Sequence, residues 1–282
     1  MGLGQEAVIH DRGRGKHPFA PPVVPAEAYD EKYFLDVCAG STEWSQSGGT
    51  ESWGAYEGLV RLAGLRHDET LVDVGTGRGE LLAAAVHAGA SRAVGIEYSA
   101  VAVGLAQRTL QAQGAADLAE VLLCDARAIP LPSQGTDLVT FCDVVEHMTR
   151  DELAAALAEA RRLLRPGGRV FIHTFPTKTI YDTTYRVLRL VLGRWRRWPR
   201  DPRGEYERAM HVNEQSLSSL RRALRRARFT DIDVRLGSVV YLDFLPGARV
   251  RAIYRWLATH RITRRLAIAD LFATAYKTDG EA

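Results

Sequence analysis

The segment Val72-Asp73-Val74-Gly75-Thr76-Gly77-Arg78-Gly79 limits the fold more than any other in the chain. It begins in a short apolar run, Leu71–Val74, places glycines at every second position, and opens an Ala/Leu-rich helical pattern over Glu80–Ala88. A strand that turns sharply into a helix needs residues without a Cβ at the turn, and the same bare backbone lets a ligand approach closely. A tight turn with no ligand would use these glycines too, and dinucleotide-binding proteins carry a related loop. The rest of the chain has to decide between these readings.

Short apolar runs and helical patterns alternate downstream. Ala93–Glu97 reads as a second strand and Val101–Gln113 as a helix. Val121–Cys124 and Asp137–Cys142 are further strands, separated by the turn residues Pro130, Pro132 and Gly135. Glu152–Leu164 is an amphipathic helix stopped by Arg165-Pro166-Gly167-Gly168, and Val170–Thr174 is a fifth strand. This rhythm predicts an α/β fold, a parallel sheet with helices on both faces. Later, a helix over Leu217–Ala227, a helical stretch at Arg249–His260 and strands near Ile232–Leu236 and Ile268–Ala275 are expected. Residues 1–28 are rich in Gly and Pro without apolar periodicity, which predicts a flexible arm. Residues 29–66, punctuated by Tyr29, Tyr33, Trp44 and Trp53, read as a helical cap. Residues 67–282 are the main domain, with an insertion at about 177–213 expected to form a lid.

Composition excludes several classes. A chain of 282 residues that is 46% hydrophobic can bury a real core. Its three cysteines, Cys38, Cys124 and Cys142, include no Cys-x-x-Cys pair, so neither a disulfide scaffold nor a zinc ribbon is expected. With no bilayer-length apolar run and no secretory leader pattern, a soluble cytoplasmic protein is the expectation.

Taken together, the residues resemble the class I S-adenosylmethionine-dependent methyltransferases, with a Rossmann-like sheet. The resemblance covers roughly residues 70–176 and is weaker beyond. The loop Asp73, Gly75, Thr76, Gly77, Gly79 resembles the family's first motif, and Glu97, followed by Tyr98, its ribose-binding acid. Cys124-Asp125-Ala126 resembles the turn that holds the adenine, Asp143 the residue near the methionine part, and Leu164-Arg165-Pro166-Gly167-Gly168 the turn before strand five. A nicotinamide enzyme would account for the first two features and not for the others. The resemblance implies S-adenosylmethionine as cofactor, bound by Asp73, Gly75, Thr76, Gly77, Gly79, Glu97, Tyr98, Asp125, Ala126 and Asp143.

Asp143-Val144-Val145-Glu146-His147 carries the acceptor side of the reading. It is similar to the Glu-x-x-Glu-His of ubiquinone-pathway O-methyltransferases and small-RNA 3′-terminal 2′-O-methyltransferases, where the resemblance implies a divalent metal that polarises the acceptor hydroxyl. Here an Asp stands first, and Asp-x-x-Glu-His also ends strand four in metal-independent members. Three roles stay open for Glu146 and His147: acid/base or substrate contact, structural positioning, and metal ligation, with a metal-free site favoured. His211 is the candidate base, and His173 reads equally as a core histidine or a catalytic one. Asn213 or Ser216 is expected to cap the following helix.

The acceptor is the least legible part. Residues 1–185 carry a net charge of −8, residues 186–265 carry +13 and the tail −2, within a total of +3. The Arg-rich stretch Tyr185–Trp198 admits a lid that meets an anionic acceptor, a membrane-surface contact, RNA binding, or a helix with solvated arginines. No RNA-binding module flanks the domain, so nucleic acid is disfavoured. The expectation is methyl transfer to a small molecule, most simply at oxygen, in bacterial natural-product, sugar or lipid-linked biosynthesis. The alternatives are a metal-dependent RNA 3′-terminal 2′-O-methyltransferase and a non-catalytic S-adenosylmethionine-binding protein. Oligomeric state is not legible.

Overall fold

The computed structural model describes residues 19–192, 199–237, 247–260 and 263–278. Seven strands form one sheet: β1 (Thr70–Val74), β2 (Arg92–Glu97), β3 (Ala119–Leu123), β4 (Thr136–Cys142), β5 (Leu164–Thr174), β6 (Thr230–Gly237) and β7 (Asp270–Tyr276). Their order is β3-β2-β1-β4-β5-β7-β6. The first five strands are parallel, with helices leading into β2, β3 and β5 and a loop joining β3 to β4. β7 enters antiparallel between β5 and β6, which corrects the expectation of a wholly parallel sheet. A short helix, α10 (Arg264–Ala267), leads the chain into β7.

The helices preceding α10 are α1 (Ser41–Ser47), α2 (Ala55–Leu62), α3 (Glu80–His87), α4 (Ala100–Ala112), α5 (Arg150–Leu163), α6 (Arg186–Leu192), α7 (Glu205–Met210), α8 (Leu217–Arg226) and α9 (Gly247–Thr259). Two apolar layers sandwich the sheet. One joins Leu153, Leu157, Leu220 and Leu224 of α5 and α8 to the strands. The other joins Leu59 and Val60 of α2 with Leu81, Leu82 and Ala85 of α3 against Leu71, Leu138 and Phe171. Local chemistry sets the helix starts. Thr149 and Glu152 form a reciprocal capping box on α5, Ser99 caps α4, and Ser216 caps α8 by accepting from Ser219 N. Asn213 instead donates its backbone N–H to Glu146 O.

The Arg165–Gly168 turn lies inside β5, as a bulged entrance where the pairing register shifts. Gly167 N donates to Lys277 O and Lys277 N to Gly168 O, so the turn is stitched to the end of β7. Residues 19–28, expected as part of a flexible arm, are pinned to the domain. Val23 N donates to Glu152 Oε1, Tyr98 Oη to Val24 O, and Arg127 Nη2 to Ala20 O. These are backbone contacts, which carry no apolar period in the sequence. Residues 1–18 of the expected arm and 193–198 of the Arg-rich stretch lie outside the described residues. Among the described residues no helix is long and apolar enough to cross a membrane.

Candidate active site

The strand order reverses at β1 and β4, and in such sheets the crevice beyond the carboxyl ends is where ligands bind. There the structure holds a cavity of about 740 Å3, bounded by the ends of β1 to β4, by residues 22–39 and by α7. Gly75 (φ +74°) turns the chain, and a Cβ on it would lie 2.5 Å from Val144 Cγ2. Gly77 donates its N–H to Glu97 Oε2 at 3.0 Å. A Cβ on Gly77 would meet nothing closer than Phe34 at 3.7 Å and would occupy cavity space. Gly75→Ala therefore combines a steric clash with a disfavoured backbone. We expect it to abolish ligand binding here, measured by calorimetry, with the far-ultraviolet dichroism of the sheet retained.

Glu97 ties the glycine turn to the next helix. Its Oε1 accepts from Tyr98 N (2.8 Å) and Ser99 N (2.9 Å), so one carboxylate joins the glycine loop to the start of α4. Burial raises its pKa, opposed by these backbone donors. Asp73 is buried, accepts from Thr140 Oγ1 at 2.7 Å, and is pushed up to about 6 by burial. Asp125 is gripped by Arg127 through Nε and Nη2 at 2.7–3.1 Å, beside Ala126. Asp73, Gly75, Thr76, Gly77, Glu97, Tyr98, Asp125, Ala126 and Asp143 all border the cavity. Gly79 does not, which corrects its expected place. It sits at the head of α3 with φ +77°, where its missing Cβ lets α4 pack closely at Ala106.

At the acceptor end, a short helical turn, Val145–His147, follows Asp143. It brings Glu146, His147 and His211 together, with ligand atoms all within 4.8 Å of one another. Glu146 is 1% exposed, accepts from Thr174 Oγ1 at 2.7 Å, and is pushed up to about 8 by burial and by Asp143. His147 Nδ1 and Tyr29 Oη lie 3.0 Å apart. Burial and the neighbouring His211 lower the His147 pKa to about 3. His211, 4.9 Å from it in an edge-to-face arrangement, is lowered by burial as well. His211 Nδ1 is buried without a protein hydrogen bond. The site thus presents two neutral imidazoles and a carboxyl that holds its proton near neutrality.

Several expectations fall elsewhere. Tyr29 and Tyr33 line the cavity, but Trp44 donates Nε1 to Thr109 Oγ1 inside the cap core and Trp53 packs beside α2. Asp143 does not join the Glu146–His147–His211 group, because its side chain pairs with His173 at 3.0 Å. His173 lies in the core, bridging Asp143 and Asp270. Sequence reasoning missed Arg78. It is 3% exposed, and Nη1 and Nη2 donate to Phe34 O and Ala39 O at 2.5 Å while Nε donates to Glu80 at 2.8 Å. The glycine loop therefore holds the cap by its backbone. Arg78→Met should leave the sheet folded and make the 34–40 segment several-fold more sensitive to limited proteolysis. Equal cleavage rates in variant and wild type would contradict that tie.

Residues 72–172 match the family described as methyltransferase domain. Over these residues the chain carries a class I S-adenosylmethionine-dependent methyltransferase domain. It is 37% identical over 139 residues to a ubiquinone/menaquinone biosynthesis C-methyltransferase of Cupriavidus taiwanensis, across 46% of this chain and 55% of that one. The chain thus spans about half the length of the curated relatives it matches. Its fold is similar to that of the [4+2]-cyclase SpnF (TM-score 0.61, 19% identity, 93% of this chain and 100% of that chain). It is also similar to the geranyl diphosphate C-methyltransferase of Streptomyces coelicolor A3(2) (TM-score 0.56, 17% identity, 88% and 86%). The fold alone does not select a reaction, as the cyclase illustrates.

S-adenosylmethionine, the cofactor of this family, suits the residues present. The side-chain-free turn at Gly75 and Gly77 leaves room beside the backbone, and Glu97 lies fixed 20 positions after Gly77 as an acceptor for paired hydroxyls. Glu146, His147 and His211 offer one carboxylate and two imidazoles at the spacing a divalent cation takes.

Proposed function

We propose that this protein transfers the methyl group of S-adenosylmethionine to a largely apolar, hydroxyl-bearing aromatic acceptor, at a ring carbon beside the hydroxyl. The observation that carries the reading is the neutral His147–His211 pair, with the buried His211 Nδ1, at the cavity's acceptor end. The relatives' printed function supports carbon in place of the oxygen expected from sequence. The described charged residues lining the cavity also favour an uncharged acceptor. They are mostly acids, and the two arginines, Arg78 and Arg127, are paired inside the protein. The basic 186–265 block therefore gives an anionic acceptor little support.

In this reading Gly75, Thr76, Gly77 and Asp143 hold the amino-acid end of the cofactor. Glu97 takes the ribose hydroxyls, and Asp125, Ala126 and Tyr98 flank the adenine. Asp73 sets the loop from beneath. When bound, the cofactor supplies a methyl group already activated on a sulfonium, so the protein's tasks are alignment, exclusion of water and proton transfer. His211 takes the acceptor's hydroxyl proton, and the phenolate's electron density forms the new bond at the adjacent carbon. His211 then returns its proton to the acceptor oxygen and takes the proton of that carbon, which restores aromaticity. Tyr29 orients the His147 ring beside this base, and Glu146, anchored by Thr174, holds the turn in place.

The test is turnover of a short-chain prenylated hydroquinone with methyl-labelled S-adenosylmethionine, the product read by NMR. A ring C-methyl signal is expected, whereas a methoxy signal would overturn the carbon assignment. A second reading is favoured by the clustering of Glu146, His147 and His211: a divalent cation there would acidify the acceptor hydroxyl directly. Exhaustive chelation separates the two. The base-assisted reaction persists after metal removal, while loss of turnover restored by added Mg2+ or Mn2+ would favour the metal.

A further inference from the structure

His173, on β5 and fully buried, presents both ring nitrogens to carboxylates. Nδ1 lies 3.0 Å from Asp143 Oδ1 and Nε2 lies 3.0 Å from Asp270 Oδ1. A neutral imidazole has one N–H and satisfies one such acceptor, leaving a lone pair against the other carboxylate. An imidazolium hydrogen-bonds Asp270 and forms an ion pair with Asp143. The groups facing the ring are Asp143 and Cys142 at the end of β4, Glu146 on the following turn, and Asp270 and Phe272 on β7. Burial disfavours the charged ring, but Asp143 and Asp270 outweigh it and raise its pKa to about 10.

Asp143 itself is held in an uncommon state. Its φ is +53°, a region that residues with a Cβ rarely adopt, and its N–H donates to His173 O at 3.0 Å. It borders the cavity between the glycine turn, which packs on Val144, and Glu146. The ring stands between Asp143 and Asp270, so one buried cation ties the end of β4 to β7.

We infer that His173 and Asp270 form a buried clamp that positions Asp143 as the counter-ion for the ammonium at the amino-acid end of S-adenosylmethionine. The inference rests on the cofactor reading above. His173 and Asp270 touch neither cofactor nor acceptor and act through Asp143. Loss of the clamp weakens recognition of the ammonium and spares recognition of the nucleoside.

The test compares two ligands by calorimetry. S-adenosylhomocysteine carries the ammonium, and 5′-methylthioadenosine lacks the whole amino-acid end. For His173→Gln, Asp270→Asn and Asp143→Asn we expect affinity for S-adenosylhomocysteine to fall about tenfold or more, with affinity for 5′-methylthioadenosine unchanged. Nitrogen-15 shifts of His173 should report an imidazolium at pH 8 in the wild type and a lower-titrating ring in Asp270→Asn. Equal loss for both ligands in the folded, conservative Asp270→Asn variant would mean a purely structural role and overturn the clamp. Unchanged S-adenosylhomocysteine affinity, or a neutral His173 ring at pH 8, would overturn it as well. A wild type that binds neither ligand would instead refute the cofactor reading beneath.

Discussion

Glu97→Ala should weaken binding of S-adenosylhomocysteine at least about a hundredfold, roughly 2.7 kcal/mol. Two losses add. The substitution removes the buried acceptor placed for the ribose hydroxyls, and it strands the N–H groups of Gly77, Tyr98 and Ser99 that now share that carboxylate. A charged hydrogen bond contributes about 1.5–3 kcal/mol, and each orphaned buried donor carries a further penalty. Glu97→Gln keeps an acceptor oxygen at similar volume and should fall between wild type and alanine. Asp73→Ala should also be severe, because Thr140 then loses the partner that holds the floor of the loop. Calorimetry that returns wild-type affinity for both alanine variants would contradict the assigned cofactor half of the cavity.

His211→Ala should lower turnover by about a hundredfold to ten-thousandfold while leaving S-adenosylhomocysteine affinity nearly unchanged. The base lies at the acceptor end, against His147 and away from Glu97 and Asp125. Its pH dependence has a defined sign. Burial lowers the His211 pKa from 6.5, so the ring is neutral and able to accept a proton throughout the neutral range. Turnover should be lost only as pH falls below the ordinary histidine range, through that lowered pKa. His211→Gln, which cannot accept the hydroxyl proton as an imidazole does, should lack this acid limb. A wild-type rate that declines already at the ordinary histidine pKa, or an alanine variant at full speed, would remove His211 as the base.

The glycine turn and the acid after β2 are legible because local rules carry them. Strand β1, the glycine turn and α3 are contiguous, and Glu97 follows its own apolar strand. Glu146 and His147 are likewise neighbours in sequence, and His211 stood out as a histidine where the insertion returns to the sheet. What escaped depends on partners far along the chain. Arg78 reaches backbone carbonyls 39 and 44 positions away, and carbonyls leave no residue-type signal. His173 meets Asp270 across 97 positions, through an antiparallel β5–β7 pairing that the alternating pattern does not announce. Trp44 and Trp53 were ambiguous for another reason: an aromatic residue fills a core and lines a pocket by the same apolar character. Net charge and the cavity lining point to different acceptors, because the acids lining the cavity are spread over many elements whereas the arginine block is contiguous.

The central claim is tested most directly by a crystal structure with S-adenosylhomocysteine. The account predicts the adenine beside Asp125 and Ala126, the ribose hydroxyls on Glu97, the ammonium against Asp143, and the sulfur turned toward His147 and His211. Ligand density outside this cavity, or a sulfur directed away from His211, would contradict it.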